Sequence, residues 1–247
     1  MEWVDDAIIL ATRRHGERGV VVDALTSKHG RHAGLVRYGA SRQMRGVLEP
    51  GNEVSVRWRA RLPEQLGQYM VEPVRARAAA VMRDPLRLAG LSSACATAQQ
   101  VLPEREPHGP VYEGMRAMLD AIEKIEMWPA ALVRWELGLL EELGFGLDLS
   151  RCAATGAIED LIYVSPRTGR AVGRMPGLPY QERLMPLPAF LLGAQMQAQL
   201  GDIIDGLDLT GFFLARHVLE PHGKPMPAAR SRLCERLKIW CEAAVPA

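Results

Sequence analysis

The residues in this chain best suited to chemistry are its arginines. Between positions 28 and 61 stand eight basic side chains: Lys28, Arg31, Arg37, Arg42, Arg45, Arg57, Arg59 and Arg61. Two acids, Glu49 and Glu53, oppose them, so the stretch is +6; with a net charge of +1 over 247 residues, the remainder carries −5. A surface of one sign rich in guanidinium is what a phosphate backbone attracts. The same composition would also serve as a solvated face that keeps the protein soluble, and both readings stand at this level. Tyr38 and Trp58 are the aromatics inside the basic stretch. An exposed ring could stack on a base, worth about 1–3 kcal/mol. Trp58 alternates with Arg57 and Arg59, so it is expected in a core, and Tyr38 is the stacking candidate.

No other reactive residues gather in this way. Cys95, Cys152, Cys234 and Cys241 are too few for a disulfide framework in a chain this long. Cys234 and Cys241 are seven apart, on one face of a helix, and read as small buried apolar groups. Cys152 lies in Arg151-Cys152-Ala153-Ala154-Thr155-Gly156, with Thr155 where a C-x-x-C pair needs its second sulfur. Zinc needs about four N or S ligands, so no metal and no cofactor are expected. The six histidines lack ligand spacing: Gly30 interrupts His29 and His32, and His217 and His222 are five apart. No phosphate-binding G-x-x-x-x-G-K-[ST] loop, G-x-S-x-G elbow or H-E-x-x-H helix occurs. Acid pairs such as Asp5-Asp6 and Glu141-Glu142 read as solvated surface. No enzyme is expected. The opening Met1-Glu2-Trp3-Val4-Asp5-Asp6 is acidic, and no uncharged apolar run approaches the ~18 residues of a membrane span. The expectation is a cytoplasmic protein that does not enter a membrane.

Two textures position these residues. Up to about residue 77 the chain reads as strands. Ala7–Ala11 and Gly19–Asp23 are short apolar runs, and Val54, Val56 and Trp58 alternate with Glu53, Ser55, Arg57 and Arg59. Turn residues at His15-Gly16, His29-Gly30, Pro50-Gly51-Asn52 and Leu66-Gly67 separate them. About five short strands in this length suggest a small barrel of the OB-fold kind. If Trp58 faces its core, Arg57 and Arg59 share the solvent face, while Arg42 and Arg45 fall in a Gly39–Gly46 loop. After Pro73 the period becomes helical. Asp84-Pro85 forms an N-cap signal, followed by the stripe Leu88, Leu91, Cys95, Ala98 and Leu102. Val111, Met115, Met118, Ile122 and Ile125 make a second stripe. Leu132, Trp135, Leu139 and Leu143 make a third, opened by Pro129 and capped by Gly144. Residues 150–188 are loop-like, and two or three helices close the chain.

These features, taken in order, resemble the RecO family of DNA-repair proteins along nearly the full length. The resemblance rests on four pieces. They are Gly16-Glu17-Arg18 through Leu25–Arg31, then Val36–Pro50, then Arg134-Trp135-Glu136-Leu137-Gly138-Leu139-Leu140-Glu141-Glu142-Leu143-Gly144-Phe145-Gly146, and Leu149-Ser150-Arg151-Cys152. The implied fold is α+β: an N-terminal OB-fold β-barrel over 1–77, followed by an all-α helical bundle over 78–247. An inserted, degenerate zinc-module-like loop or hairpin would occupy 150–188. Of that module's four cysteines only Cys152 remains, and Ser165–Arg170 is similar to its hairpin without ligands. The implied function is that of a recombination mediator. Such a protein binds single- and double-stranded DNA, anneals complementary strands and works with RecR. Together they help RecA load onto DNA coated by single-stranded DNA-binding protein (SSB), in the cytoplasm at the nucleoid. The resemblance carries DNA binding onto Lys28, Arg31, Arg37, Arg42 and Arg45; the alternation adds Arg57 and Arg59. It makes Arg134 a candidate for the acidic C-terminal tail of SSB, and pairing of Arg134 with Glu141 or another local acid is the competing reading. A scaffold that bridges SSB and RecR without binding DNA is the alternative function.

Overall fold

Alternating side chains in the first 75 residues build five strands: β1 (Glu2–His15), β2 (Gly19–Thr26), β3 (Gly30–Val36), β4 (Glu53–Arg59) and β5 (Gln68–Arg75). A short helix, α1 (Arg42–Val47), lies between β3 and β4. The computed structural model describes residues 1–193 and 198–244. β1 is long enough to serve two partners. Its first half pairs with β4 and its second half with β2, both antiparallel, the two ladders overlapping at Ala7 and Ile8, and the β1–β2 register shifts between Ile9 and Ala11. β3 meets β5 in the parallel sense at Leu35 and Gln68. The order β1-β2-β3-β5-β4 therefore closes into a barrel, the five-stranded Greek-key arrangement of an OB-like domain. Its interior is filled by Ile9, Val22, Ala24, Val54, Val56, Trp58 and Tyr69. Trp58 is inside as the alternation requires, and Arg57 and Arg59 are exposed.

By internal contacts the chain divides into two compact units: Met1–Ile125 with Pro227–Leu233, and Glu126–Met226 with the chain from Cys234 onward. The first unit adds α2 (Arg77–Val81), α3 (Pro85–Val101) and α4 (Gly109–Lys124) to the barrel. Asp84 caps α3, its carboxylate accepting from the N–H groups of Leu86 and Arg87 at 3.0 and 3.1 Å, with Pro85 in the first turn. Leu91, Cys95, Ala98 and Leu102 are buried while Leu88 is partly exposed. Val111, Met115, Met118 and Ile122 are buried while Ile125 is exposed, so each stripe loses the member at one end.

The second unit holds α5 (Trp128–Glu142), a small sheet and α7 (Leu200–Phe213). α5 ends in a Schellman cap. Gly144, at φ +85°, donates its N–H to the Glu141 carbonyl, and Phe145 donates to that of Leu140. Residues 150–188 carry more regular structure than their loop-like composition suggests, and a hairpin turns at Ser165–Arg170, where the resemblance placed one. β6 (Leu161–Val164) and β7 (Ala171–Gly173) form a hairpin whose turn spans Ser165–Arg170. After α6 (Arg174–Gly177), β8 (Met185–Pro186) pairs on the other side of β6. Strands of two to four residues are too short to show a period. α8 (Ala228–Ala244) is the last described element; Leu233, the end of the first unit's share of it, and Leu237 in the second unit's share are buried.

Candidate nucleic-acid interface

The strand pattern determines which arginines meet. β3 ends at Val36, so Arg37 leaves the barrel at that end. There β5 begins at Gln68, paired with Leu35 on one side and Arg59 on the other. Arg37, Arg59 and Arg61 thereby come to line one open cleft of about 950 Å³, floored by Leu35, Leu66 and Gly67. None of its lining residues is acidic. Among the described residues no ion pair is formed by Arg37, Arg59 or Arg61, and three guanidinium groups lining a cleft without an acidic lining residue make a surface that attracts phosphate oxygens.

A smaller groove of about 210 Å³ lies on the same barrel and is lined by Arg13, Arg14, Gly39, Ala40 and Arg45, with Glu49 at its side. The Ala40 N–H donates to the Arg18 carbonyl of the β1–β2 turn at 3.2 Å, which ties this segment to that turn. Tyr38, 66% exposed, sits in the chain between Arg37 of the cleft and Gly39 of the groove. Arg42 is exposed on α1. That stretch is not the expected loop: Ser41 caps it by accepting from the Met44 N–H at 3.3 Å, and a turn of helix fixes Arg42 and Arg45. Arg57, on the barrel wall, makes a long contact of 3.4 Å with Glu2.

Two of the expected residues do not join this set. Lys28 is exposed in the β2–β3 turn, at the opposite end of β3 from Arg37, about 20 Å away at the usual rise per residue. Arg31 is largely buried and fully engaged. Its guanidinium meets Asp23 at 2.8 Å and Glu104 at 3.4 Å, and its Nε donates to the Leu102 carbonyl at 2.9 Å. Conversely, Arg13, Arg14 and Arg61 belong to the two grooves and were not among the expected site residues. For Arg61 the signal was in the sequence, in the continued charge run after Arg57 and Arg59. For Arg13-Arg14 it was the charged end of the first apolar run.

The family models match this chain in two blocks: "Recombination protein O N terminal" over residues 1–77 and "Recombination protein O C terminal" over residues 82–225. The chain belongs to the RecO family. The DNA repair protein RecO of Phenylobacterium zucineum is 52% identical over 237 residues, covering 96% of this chain and 98% of that protein. That of Rhodospirillum rubrum is 50% identical over 249 residues, covering 98% and 99%. That of Caulobacter vibrioides is 50% identical over 237 residues, covering 96% and 98%. RecO membership places the chain among the proteins of DNA repair and recombination, and the N-terminal RecO block spans the barrel that carries both grooves.

In the C-terminal RecO block, Arg134 is exposed on α5. It meets Phe190 rather than Glu141: its Nη2 donates to the Phe190 carbonyl at 3.0 Å, and the guanidinium lies 5.4 Å from that ring's centre. Cys152 is buried, its sulfur accepting from the Gly173 N–H at 3.3 Å. Among the described residues no group of three or more His, Cys, Asp or Glu side chains could hold a metal ion. No described helix is long and apolar enough to cross a membrane.

Proposed function

We propose that this chain is a non-enzymatic recombination mediator that binds DNA along the arginine-lined face of its barrel. The observation that carries the reading is the cleft where Arg37, Arg59 and Arg61 converge without an acid. A strand would leave phosphates on that cleft, pass Tyr38, and continue to Arg45, Arg13 and Arg14, with Arg42 and Arg57 flanking. In OB-folds the loops after the first and fourth strands border the ligand path; here the β4–β5 loop lines the cleft, and the smaller groove is lined by the end of β1, next to the β1–β2 turn, and by the segment between β3 and β4. Lys28 would be reached only by a longer DNA, and Arg31, already neutralised, is left out. Both single and double strands suit a site that reads backbone charge. Lowering the repulsion between two strands is enough for annealing, since base pairing supplies the driving force, so no nucleotide cofactor is needed. Membership of the RecO family supports the rest of the role: work with RecR to load RecA onto SSB-coated single strands, in the cytoplasm at the nucleoid. Arg134, held over Phe190 with guanidinium donors to spare, is the proposed contact for the acidic SSB tail. The segment around Cys152 is proposed to keep its fold without zinc.

The test is fluorescence anisotropy of labelled oligonucleotides across a salt series, for the natural protein and for Arg59→Ala, Arg61→Ala and Arg45→Ala. Each arginine on a phosphate should weaken binding and flatten the slope of log K against log salt, by about 0.9 on duplex and 0.7 on single strand. Slopes unchanged in all three variants would remove the DNA path from this face. No binding at low salt would leave the bridging scaffold as the function. An SSB-tail peptide titrated into the same protein should bind, and Arg134→Ala should weaken it; equal binding would clear Arg134 of the role.

A further inference from the structure

The loop between β4 and β5, Ala60–Gly67, supplies Arg61, Leu66 and Gly67 to the cleft, yet it has no regular structure and is mostly exposed. Its two ends are tied to the barrel. The Ala60 N–H donates to the Met1 carbonyl at 3.1 Å, Trp58 Nε1 donates to the Leu66 carbonyl at 3.0 Å, and the Leu35 N–H donates to the Gly67 carbonyl at 3.1 Å. Its tip is held from elsewhere. The guanidinium of Arg105 donates to three successive carbonyls: Pro63 through Nη1, and Glu64 and Gln65 through Nη2 at 3.2 and 3.0 Å. A planar fork with donors on two nitrogens can bridge such a row; an ammonium cannot do so in the same geometry.

Arg105 is itself held in an unusual conformation. Its φ is +63°, in the left-handed region that a non-glycine residue occupies only at a cost. Its N–H donates to the Arg31 carbonyl at 2.7 Å, and Glu104 bridges Arg31 as a short parallel pair. The Arg31 side chain fastens the same segment through Leu102 and Glu104. Gly30, at φ +68°, allows the approach: a Cβ there would stand 1.9 Å from the Glu106 carbonyl oxygen. The strand-to-segment stitching and the backbone strain therefore converge on one result, which is a guanidinium aimed at the loop tip.

We infer that Arg105 is a positioning residue for the basic cleft, holding the β4–β5 loop so that Arg61 and Gln65–Gly67 are preformed to receive a DNA backbone. The inference rests on the DNA-binding reading above. On it, Arg31 acts at one remove from DNA, by seating Arg105.

Two variants and two readouts test it. Arg105→Lys keeps the charge and loses the fork. Arg105→Asn keeps tolerance of the left-handed conformation and loses both. In the free protein, amide exchange over residues 62–67 should accelerate in both variants. DNA affinity should fall roughly tenfold in both, equivalent to about 1.4 kcal/mol, with the salt slope of the natural protein retained. Exchange unchanged in both variants, with DNA still bound by the natural protein, overturns the inference alone. Full rescue by lysine, with a flattened slope in the asparagine variant, also overturns it and makes Arg105 a direct phosphate contact. Failure of the natural protein to bind DNA overturns the DNA reading, and this inference with it.

Discussion

Arg77 is 1% exposed, yet it carries a full charge, because three carboxylates surround it. Its Nε donates to Glu53 at 3.0 Å, and its Nη1 donates to Asp120 at 2.8 Å and Glu123 at 2.9 Å. These bonds hold the start of α2 to β4 and α4 within the first unit. Breaking a buried pair by removing one partner costs about 3–5 kcal/mol, because the other charge is left in a poorly solvated place. Arg75 also reaches Asp120 and Glu123, and Arg116 lies 3.6 Å from Glu53, so Arg77→Met is expected near the lower end of that range. Urea unfolding measures it; a loss below about 1 kcal/mol would show that Arg75 and Arg116 suffice. None of this was legible in the sequence, where Glu53 counted as one of two acids in a basic stretch and as an outward member of the strand alternation, although the structure buries it. Its partner stands 24 positions away, and side-chain pairing at that separation leaves no pattern. What alternation could show was the inward Trp58 and the outward Arg57 and Arg59, because period 2 is a local property of a strand.

At the level of elements, the sequence was readable where an end carries its own chemistry. Asp84-Pro85 and Gly144 mark a helix start and a helix stop, and both sit where the structure caps α3 and α5. It was unreadable where order comes from distant partners or where an element is very short. α1 has six residues with Gly46 among them, and β6, β7 and β8 have four, three and two. The β4–β5 loop is held by Arg105, some forty positions on. Gly144 isolates one such local signal. Nothing lies within 4 Å of a Cβ built there, so Gly144→Ala tests backbone conformation without a steric clash. An alanine forced to φ +85° should destabilise by about 1–2 kcal/mol, and Gly144→Asn by less, since asparagine tolerates that region. Chemical denaturation of the three proteins side by side gives the order; alanine equal to glycine would mean that the Schellman cap is not kept in solution.

For the molecule as a whole, a net charge of +1 conceals a strongly basic stretch in an otherwise acidic chain, and that division was legible from counting. A small barrel was legible from the count of strands, but not which strands close it: closure runs through the parallel meeting of Leu35 with Gln68, which no periodicity announces. Closure also buries a titratable group that a list of histidines could not single out. His32, on β3, is 3% exposed and packs against Trp3 and Trp58, with its ring centre 5.1 and 5.0 Å from theirs. Its Nδ1 lies 3.0 Å from the Ala33 carbonyl. Burial, with the nearby Arg105 cation adding to it, pushes its pKa from the usual 6.5 down to about 4. An unfolded chain takes up that proton near pH 6.5, whereas the folded one refuses it until about pH 4. Stability from this residue is therefore complete above pH 6.5, declines as pH falls through the window, and levels off below 4, with a slope of at most about 1.4 kcal/mol per unit. Asp5, whose carboxyl is partly desolvated but held low by Ser27, His29 and the Lys28 N–H, adds a loss in the same direction only below its usual 3.8. Asp23, raised by burial against the pull of Arg31, works in the opposite sense just above that value. His32→Phe, which keeps a ring among the tryptophans, should flatten the fall in urea midpoint between pH 6.5 and 4 and leave the Asp5 loss below 3.8 in place. If the variant and the natural protein decline in parallel across that window, His32 titrates normally and the acid sensitivity belongs to the carboxylates.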